Sequence, residues 1–207
     1  MALQETDDTY KTIAGECRGS FRDKGSRFLA FAYPVASEEE VKERLAFLRK
    51  EYYDARHHCY AYRIGFENHS YRINDDGEPS GTAGRPVFGQ ILSHDLTQVL
   101  IVVIRYFGGI KLGVPGLINA YRSAATDALT NGEIITRQIR EVYCVRFDYL
   151  AMNSVMKALK DEHAEILSQG FDDACILEFS IRKNCGKKIS ERLMKISNVS
   201  LSLQQVL

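Results

Sequence analysis

The sequence lacks net charge, a long apolar run and a paired cysteine motif, and each absence excludes a class of protein. Lys and Arg total 27 against 27 Asp and Glu in 207 residues, so there is no polycationic coat for nucleic acid and no acidic solvating tail, although local patches remain open. The longest apolar runs, Phe28 to Tyr33 and Val99 to Ile104, hold six residues each, whereas a membrane-spanning helix needs about 20. The first eight residues (Met-Ala-Leu-Gln-Glu-Thr-Asp-Asp) are acidic with no apolar core, so no secretory leader is expected. Five cysteines (Cys17, Cys59, Cys144, Cys175, Cys185) form no C-x-x-C pair. They predict reduced thiols in a cytoplasmic protein rather than a disulfide framework or a zinc knuckle.

With 45% hydrophobic and 26% charged residues, the chain has the composition of a foldable globular protein and is long enough for two cores. Arg27 to Val35 reads as a strand closed by Pro34. Ser37 and Glu40 form a capping box at the start of a helix reaching about Tyr53. His57 to Ile64 and Ser70 to Ile73 read as strands around a turn at Glu67-Asn68, and Asp75 to Pro86 as a loop. Val87 to Leu92 reads as a short helix. Thr97 to Tyr106 is apolar almost throughout and predicts a central strand covered on both faces. Leu117, Tyr121, Ala124, Ala125, Ala128 and Leu129 mark one face of a helix ending at Asn131-Gly132.

After residue 133 the pattern restarts as strand, helix, strand, strand, helix, strand, the ferredoxin-like βαββαβ order. We therefore expect an α+β protein with domains at residues 1–133 and 134–207. The first carries 16 basic and 18 acidic residues and the second 11 and 9, so any nucleic-acid contact must come from a patch.

Four segments bear chemistry. Arg105-Tyr106-Phe107-Gly108-Gly109-Ile110-Lys111-Leu112-Gly113 lies between the central strand and a helix start. Its glycines can turn main-chain amides toward an anion, with Arg105 and Lys111 as cations, or can serve strand–helix packing alone. It is not a Walker A loop. In Arg56-His57-His58-Cys59-Tyr60-Ala61-Tyr62, strand alternation puts His58, Tyr60 and Tyr62 on one face, suited to stacking on bases or to filling a core. Cys59 shares the other face with His57, which leaves a thiol–imidazole pair open. Asp75-Asp76-Gly77-Glu78 offers three carboxylates for Mg²⁺ or acid–base work, or an ordinary turn. Lys188, Arg192 and Lys195 line up at helical spacing as a stripe for RNA or as a solvated face.

Three of these segments resemble the YigZ/IMPACT family: His57 to Ile64, Asp75 to Pro86, and Arg105 to Gly113. The resemblance implies a first domain sharing its fold with part of a small-subunit ribosomal protein, and a second similar to a ferredoxin-like domain of elongation factor G. It also implies a link to translation, with RNA, the ribosome or a translation protein as partner; no cofactor or metal is expected. Eukaryotic members restrain a starvation-activated kinase through an added N-terminal domain. Since the pattern of elements is read as starting at Arg27, that role is not expected to carry over. Beyond Gly113, Asn119 stands where the family usually has arginine, which removes one cation, and Arg122 is the candidate to compensate.

The expected function is non-enzymatic binding of RNA or the ribosome through a cleft of Arg56, His57, His58, Arg85, Arg105, Gly108, Gly109, Lys111 and Gly113. The alternatives are a metal- or Cys/His-dependent hydrolase of a small phosphorylated or peptide substrate, and a protein–protein adaptor.

Overall fold

The computed structural model describes residues 8–66, 69–171 and 175–207; the turn expected at Glu67-Asn68 lies outside them. The chain forms two compact units. One is Lys11–Arg137, and the other joins Gln138–Leu207 with the described N-terminal residues up to Tyr10.

The first unit is built on a five-stranded antiparallel sheet of β2 (Cys17–Asp23), β3 (Ser26–Pro34), β6 (Val99–Tyr106), β4 (His57–Ile64) and β5 (Ser70–Asn74), in that order. β6 is the middle strand, and Val99 to Arg105 are all buried, as its unbroken apolar run requires. α1 (Glu38–Glu51) covers one face through Val41 and Leu48, against Phe31, Tyr33, Tyr60, Tyr62, Leu100 and Val102. α2 (Gly84–Ser93) and α3 (Gly113–Thr130) cover the other, where Ala30, Cys59, Ile101 and Val103 meet Val87, Ile91, Tyr121 and Ala124.

The α1 N-terminus follows the sequence closely. Glu40 donates its amide to Ser37 Oγ at 3.2 Å, and its carboxylate accepts from the Ala36 amide at 2.9 Å. The elements do not start at Arg27, however. β1 (Thr9–Ile13) and β2 precede it, and β1 pairs with β7 (Ile134–Gln138). β2 forms a hairpin with β3, and both turn residues, Lys24 (φ 44°) and Gly25 (φ 78°), lie in the left-handed region. A two-residue turn of that hand matches the twist of the flanking strands.

The second unit is a four-stranded antiparallel sheet ordered β11 (Ser200–Val206), β8 (Arg140–Phe147), β10 (Cys175–Arg182) and β9 (Glu165–Phe171). α4 (Met152–Asp161) and α5 (Lys183–Leu193) pack on it through Val155, Leu159, Ile189 and Leu193. The strand order and the two helices give the ferredoxin-like arrangement read from the sequence, and the protein is α+β.

Candidate anion-binding cleft

Antiparallel pairing of β4 with β6 sets His57 opposite Arg105, so the start of one strand and the end of the other meet at one end of the sheet. α3 begins seven residues beyond the end of β6, at the same end. The result is a cleft of about 460 Å³ lined by Arg56, His57, Glu78, Arg105, Phe107, Lys111 and the first residues of α3. Arg56 and Lys111 are exposed on its rim, and among the described residues neither makes an ion pair.

Leu112 holds the N-cap position of α3 and provides no side-chain acceptor. Amides at such a terminus carry partial positive charge and favour an anion. Gly113 enters the helix at φ 72°, and Pro115, three residues into it, has no amide to leave unsatisfied.

Arg105 is not the free cation expected from its place beside the glycine turn. Its side chain is 8% exposed and bonds Glu78 at 2.6 Å, with the Glu78 side chain 3% exposed. Glu78 also accepts from the Tyr121 hydroxyl at 2.8 Å, and Cys59 Sγ donates to that hydroxyl at 3.3 Å. The Arg105 guanidinium lies 5.5 Å from the Phe28 ring centroid and 5.6 Å from that of Phe107. Its Nε is buried and, among the described residues, has no hydrogen-bond partner.

The acidic loop is a clamp. Asp75 accepts from the amides of Gly81 (2.8 Å), Ala83 (3.0 Å) and Gly84 (2.8 Å), which fastens the start of α2. Asp76 accepts from the His58 amide at 2.7 Å and from Arg49 at 3.2 Å, tying the loop to β4 and α1. His57 Nδ1 lies 2.8 Å from the Asp76 carbonyl, so that nitrogen carries the proton. No group of three or more His, Cys, Asp or Glu among the described residues is arranged to hold a metal ion.

Several expected placements change. His58, Tyr60 and Tyr62 are all under 7% exposed and lie beneath α1, so they cannot stack on bases. Their face of the sheet is a core face because α1 needs an apolar bed. Burial also pushes the His58 imidazole below its usual pKa. Cys59 is fully buried and bonds the Asp75 carbonyl and Tyr121 instead of His57. Burial pushes its thiol well up, so it is no thiolate nucleophile.

Arg85 is exposed on α2 and is not among the residues lining the cleft. The Gly108 amide donates to Ser26 Oγ at 3.2 Å, and a Cβ there would stand 1.9 Å from the Gly25 carbonyl carbon, so Gly108 serves close packing against the β2–β3 hairpin. Gly109 (φ 90°) has open space around it. Arg122 is exposed and does not line the cleft, so it is not the compensating cation expected beside Asn119. On α5, Lys188 pairs with Glu162 at 3.0 Å and Arg192 with Asp161 at 2.5 Å, which neutralises much of the basic stripe.

Two features around the site went unread in the sequence, the Tyr121–Glu78 hydrogen bond and the β2–β3 hairpin. Tyr121 is placed correctly on the core face of α3, but its hydroxyl needed a buried partner, and that need was the available signal for Glu78. The hairpin cations Arg22, Lys24 and Arg27 surround a recess of about 430 Å³, and the hairpin tip packs on Gly108 beside the cleft.

The model of the Impact N-terminal domain matches residues 24–129, which span β3 to α3 and the whole cleft. The chain belongs to the IMPACT family. It is 33% identical over 183 residues to an IMPACT family member of Haemophilus influenzae, covering 87% of this chain and 89% of that one. It is 30% identical over 182 residues to IMPACT family member YigZ of Escherichia coli, again covering 87% and 89%. A crystal structure described as a hypothetical protein matches with a TM-score of 0.70 and 25% identity, covering 96% of this chain and 98% of that one.

Proposed function

We propose that this protein is a non-enzymatic, translation-associated protein of the cytoplasm that binds RNA or the ribosome through the α3 cleft. The site belongs to a first domain of residues 1–133, with residues 134–207 as a second, ferredoxin-like domain. Lys111 and Arg56 hold phosphate, the uncapped start of α3 supplies amides, and His57 and Gly113 shape the wall. The supporting observation is that α3 opens without a side-chain cap onto a cleft whose rim cations are unpaired among the described residues. Arg105 contributes from behind through its unpartnered Nε. The family's link to translation supplies the setting.

Phosphate contacts make affinity depend on salt. Neutralising two phosphates predicts about a sevenfold weaker complex at about 200 mM than at about 50 mM salt, from a slope of roughly −0.7 per contact. Filter binding to ribosomal RNA, with a Lys111→Ala/Arg56→Ala variant alongside, tests this. Binding that ignores both salt and the double substitution refutes the cleft. Sedimentation of lysate with and without RNase asks in addition whether the protein travels with ribosomal particles.

A further inference from the structure

The cleft and the loop beside it carry something phosphate alone does not require. Phe107 is 52% exposed, Ile110 56% and Val114 52%, and all three lie in the segment from the end of β6 into the first turn of α3. Large apolar side chains bared beside a cationic site suit a ligand with both a charge and a flat apolar surface. Phe107 is also held from one side, because the Arg105 guanidinium sits 5.6 Å from its centroid and is itself fixed by Glu78 and Phe28. An aromatic ring braced in this way loses little freedom when a second flat group stacks on it.

We propose that the cleft binds an unpaired nucleotide of single-stranded RNA, with its base stacked on Phe107 and its phosphate at Lys111 and the start of α3. This rests on the proposed RNA binding and deepens it by naming the form of RNA. A duplex turns its base faces inward and offers a protein mainly phosphate, ribose and groove edges, so it leaves Phe107 without a partner. An unpaired base has an open π-face, and stacking on aromatic side chains tolerates any base. Arg105 lines the same cleft, and its Nε is buried and, among the described residues, has no hydrogen-bond partner. Buried polar groups are nearly always satisfied, and a phosphate, ribose or base oxygen entering the cleft is one acceptor that would satisfy it. Glu78 does not repel the phosphate, since its charge is neutralised by Arg105 at 2.6 Å.

The test is fluorescence anisotropy on the full chain, using one labelled RNA decamer both single-stranded and annealed to its complement. The variants are Phe107→Ala, Phe107→Tyr and Lys111→Ala. The single strand binds more tightly than the duplex, Phe107→Ala weakens the single strand roughly 5- to 150-fold, and Phe107→Tyr restores it. Lys111→Ala weakens both forms. Phe107 is half exposed, so its truncation leaves the fold intact, which a thermal melt verifies. Equal affinity for both forms, with Phe107→Ala unaffected, overturns the unpaired-nucleotide assignment and leaves RNA binding standing. No binding of either form at low salt overturns the RNA reading itself. Capture of an acidic peptide by the same cleft, lost in Phe107→Ala while RNA binding is unchanged, replaces the nucleotide with a protein ligand and likewise overturns the assignment.

Discussion

Replacing Glu78 by glutamine removes one charge from a pair that water hardly reaches. Arg105 and Glu78 are 8% and 3% exposed at their side chains and 2.6 Å apart. Without the carboxylate, the guanidinium keeps its charge, its two ring neighbours and its unpartnered Nε, but loses the counter-charge that made burial tolerable. Breaking one side of a buried pair costs about 3–5 kcal/mol. Gln keeps one carbonyl oxygen for Arg105 or Tyr121, which places the expectation near ~3 kcal/mol. For a unit of this size each kcal/mol shifts melting by roughly 3–5 °C, so a fall of about 10–15 °C is expected by calorimetry. Two further arms isolate the cause. Adding Arg105→Met to Glu78→Gln recovers much of the loss, because no buried charge is then left alone. Sulfate raises the melting temperature of Glu78→Gln more than that of the parent, because the freed guanidinium lies in the cleft wall. A Glu78→Gln protein melting within about 2 °C of the parent refutes the buried pair, since a shift that small corresponds to under about 1 kcal/mol. Equal sulfate stabilisation of both proteins would place Arg105 away from the cleft.

Tyr121→Phe removes the hydroxyl donated to Glu78 and costs about 1.5–3 kcal/mol by urea denaturation; an unchanged midpoint would show that the hydroxyl is solvated. Burial lowers the pKa of His58, and Asp76, 4.0 Å away, opposes that while Arg49 adds to it. The unfolded chain therefore takes up a proton near about pH 6.5 that the folded chain resists, so stability is full above that pH and declines as pH falls below it. Urea midpoints at about pH 7.5 and about pH 5.5 measure this, and His58→Gln flattens the slope, whereas a midpoint rising on acidification contradicts the buried neutral ring. Gly108→Ala forces a Cβ to 1.9 Å from the Gly25 carbonyl carbon and costs about 2 kcal/mol or more. Gly109→Ala meets open space, so only its φ of 90° opposes the change, at the low end of the about 1–3 kcal/mol typical of backbone strain; thermal melts in which Gly109→Ala loses more than Gly108→Ala would displace the hairpin contact. Asp75→Ala leaves three amides without their acceptor and costs about 3 kcal/mol or more, read as the loss of a cooperative melt.

Periodicity carried most of the elements because burial repeats along the chain. The run from Val99 to Ile104 had to be a middle strand, and Ser37 with Glu40 had to start a helix. β2 escaped because Cys17-Arg-Gly-Ser-Phe-Arg-Asp packs alternate small or single apolar groups against α3. Gly19 is needed there for backbone approach to Ala128 rather than for hydrophobicity. Its turn, Lys24-Gly25, also lacks the usual Asn-Gly signal. Within the candidate site, Lys111, Arg56 and His57 were legible as residue types, while the sides they face were only half legible. Alternation correctly separated His57 from His58, but nothing local says which face of a sheet a helix will cover. Arg105 reads as exposed because arginine usually is, and only the return of the loop carrying Glu78 makes its burial possible.

That loop also shapes the site. Three carboxylates in four residues look like metal or acid–base chemistry when read in a line. Folded, each faces a different donor: Asp75 three amides, Asp76 an amide and Arg49, Glu78 Arg105 and Tyr121. Glu78 and Arg105 cancel, and Asp75 and Asp76 are not among the lining residues. The field in the cleft therefore comes from Arg56, Lys111 and the α3 terminus, all of one sign. Here Asp75 and Asp76 hold backbone amides and Glu78 holds the Arg105 and Tyr121 side chains, so the carboxylates of the loop fix the wall of the cleft in place. Binding an anion needs only fixed donors that reorganise little on contact, and the clamp supplies that fixity by pinning the start of β4, the start of α2 and the end of β6 together.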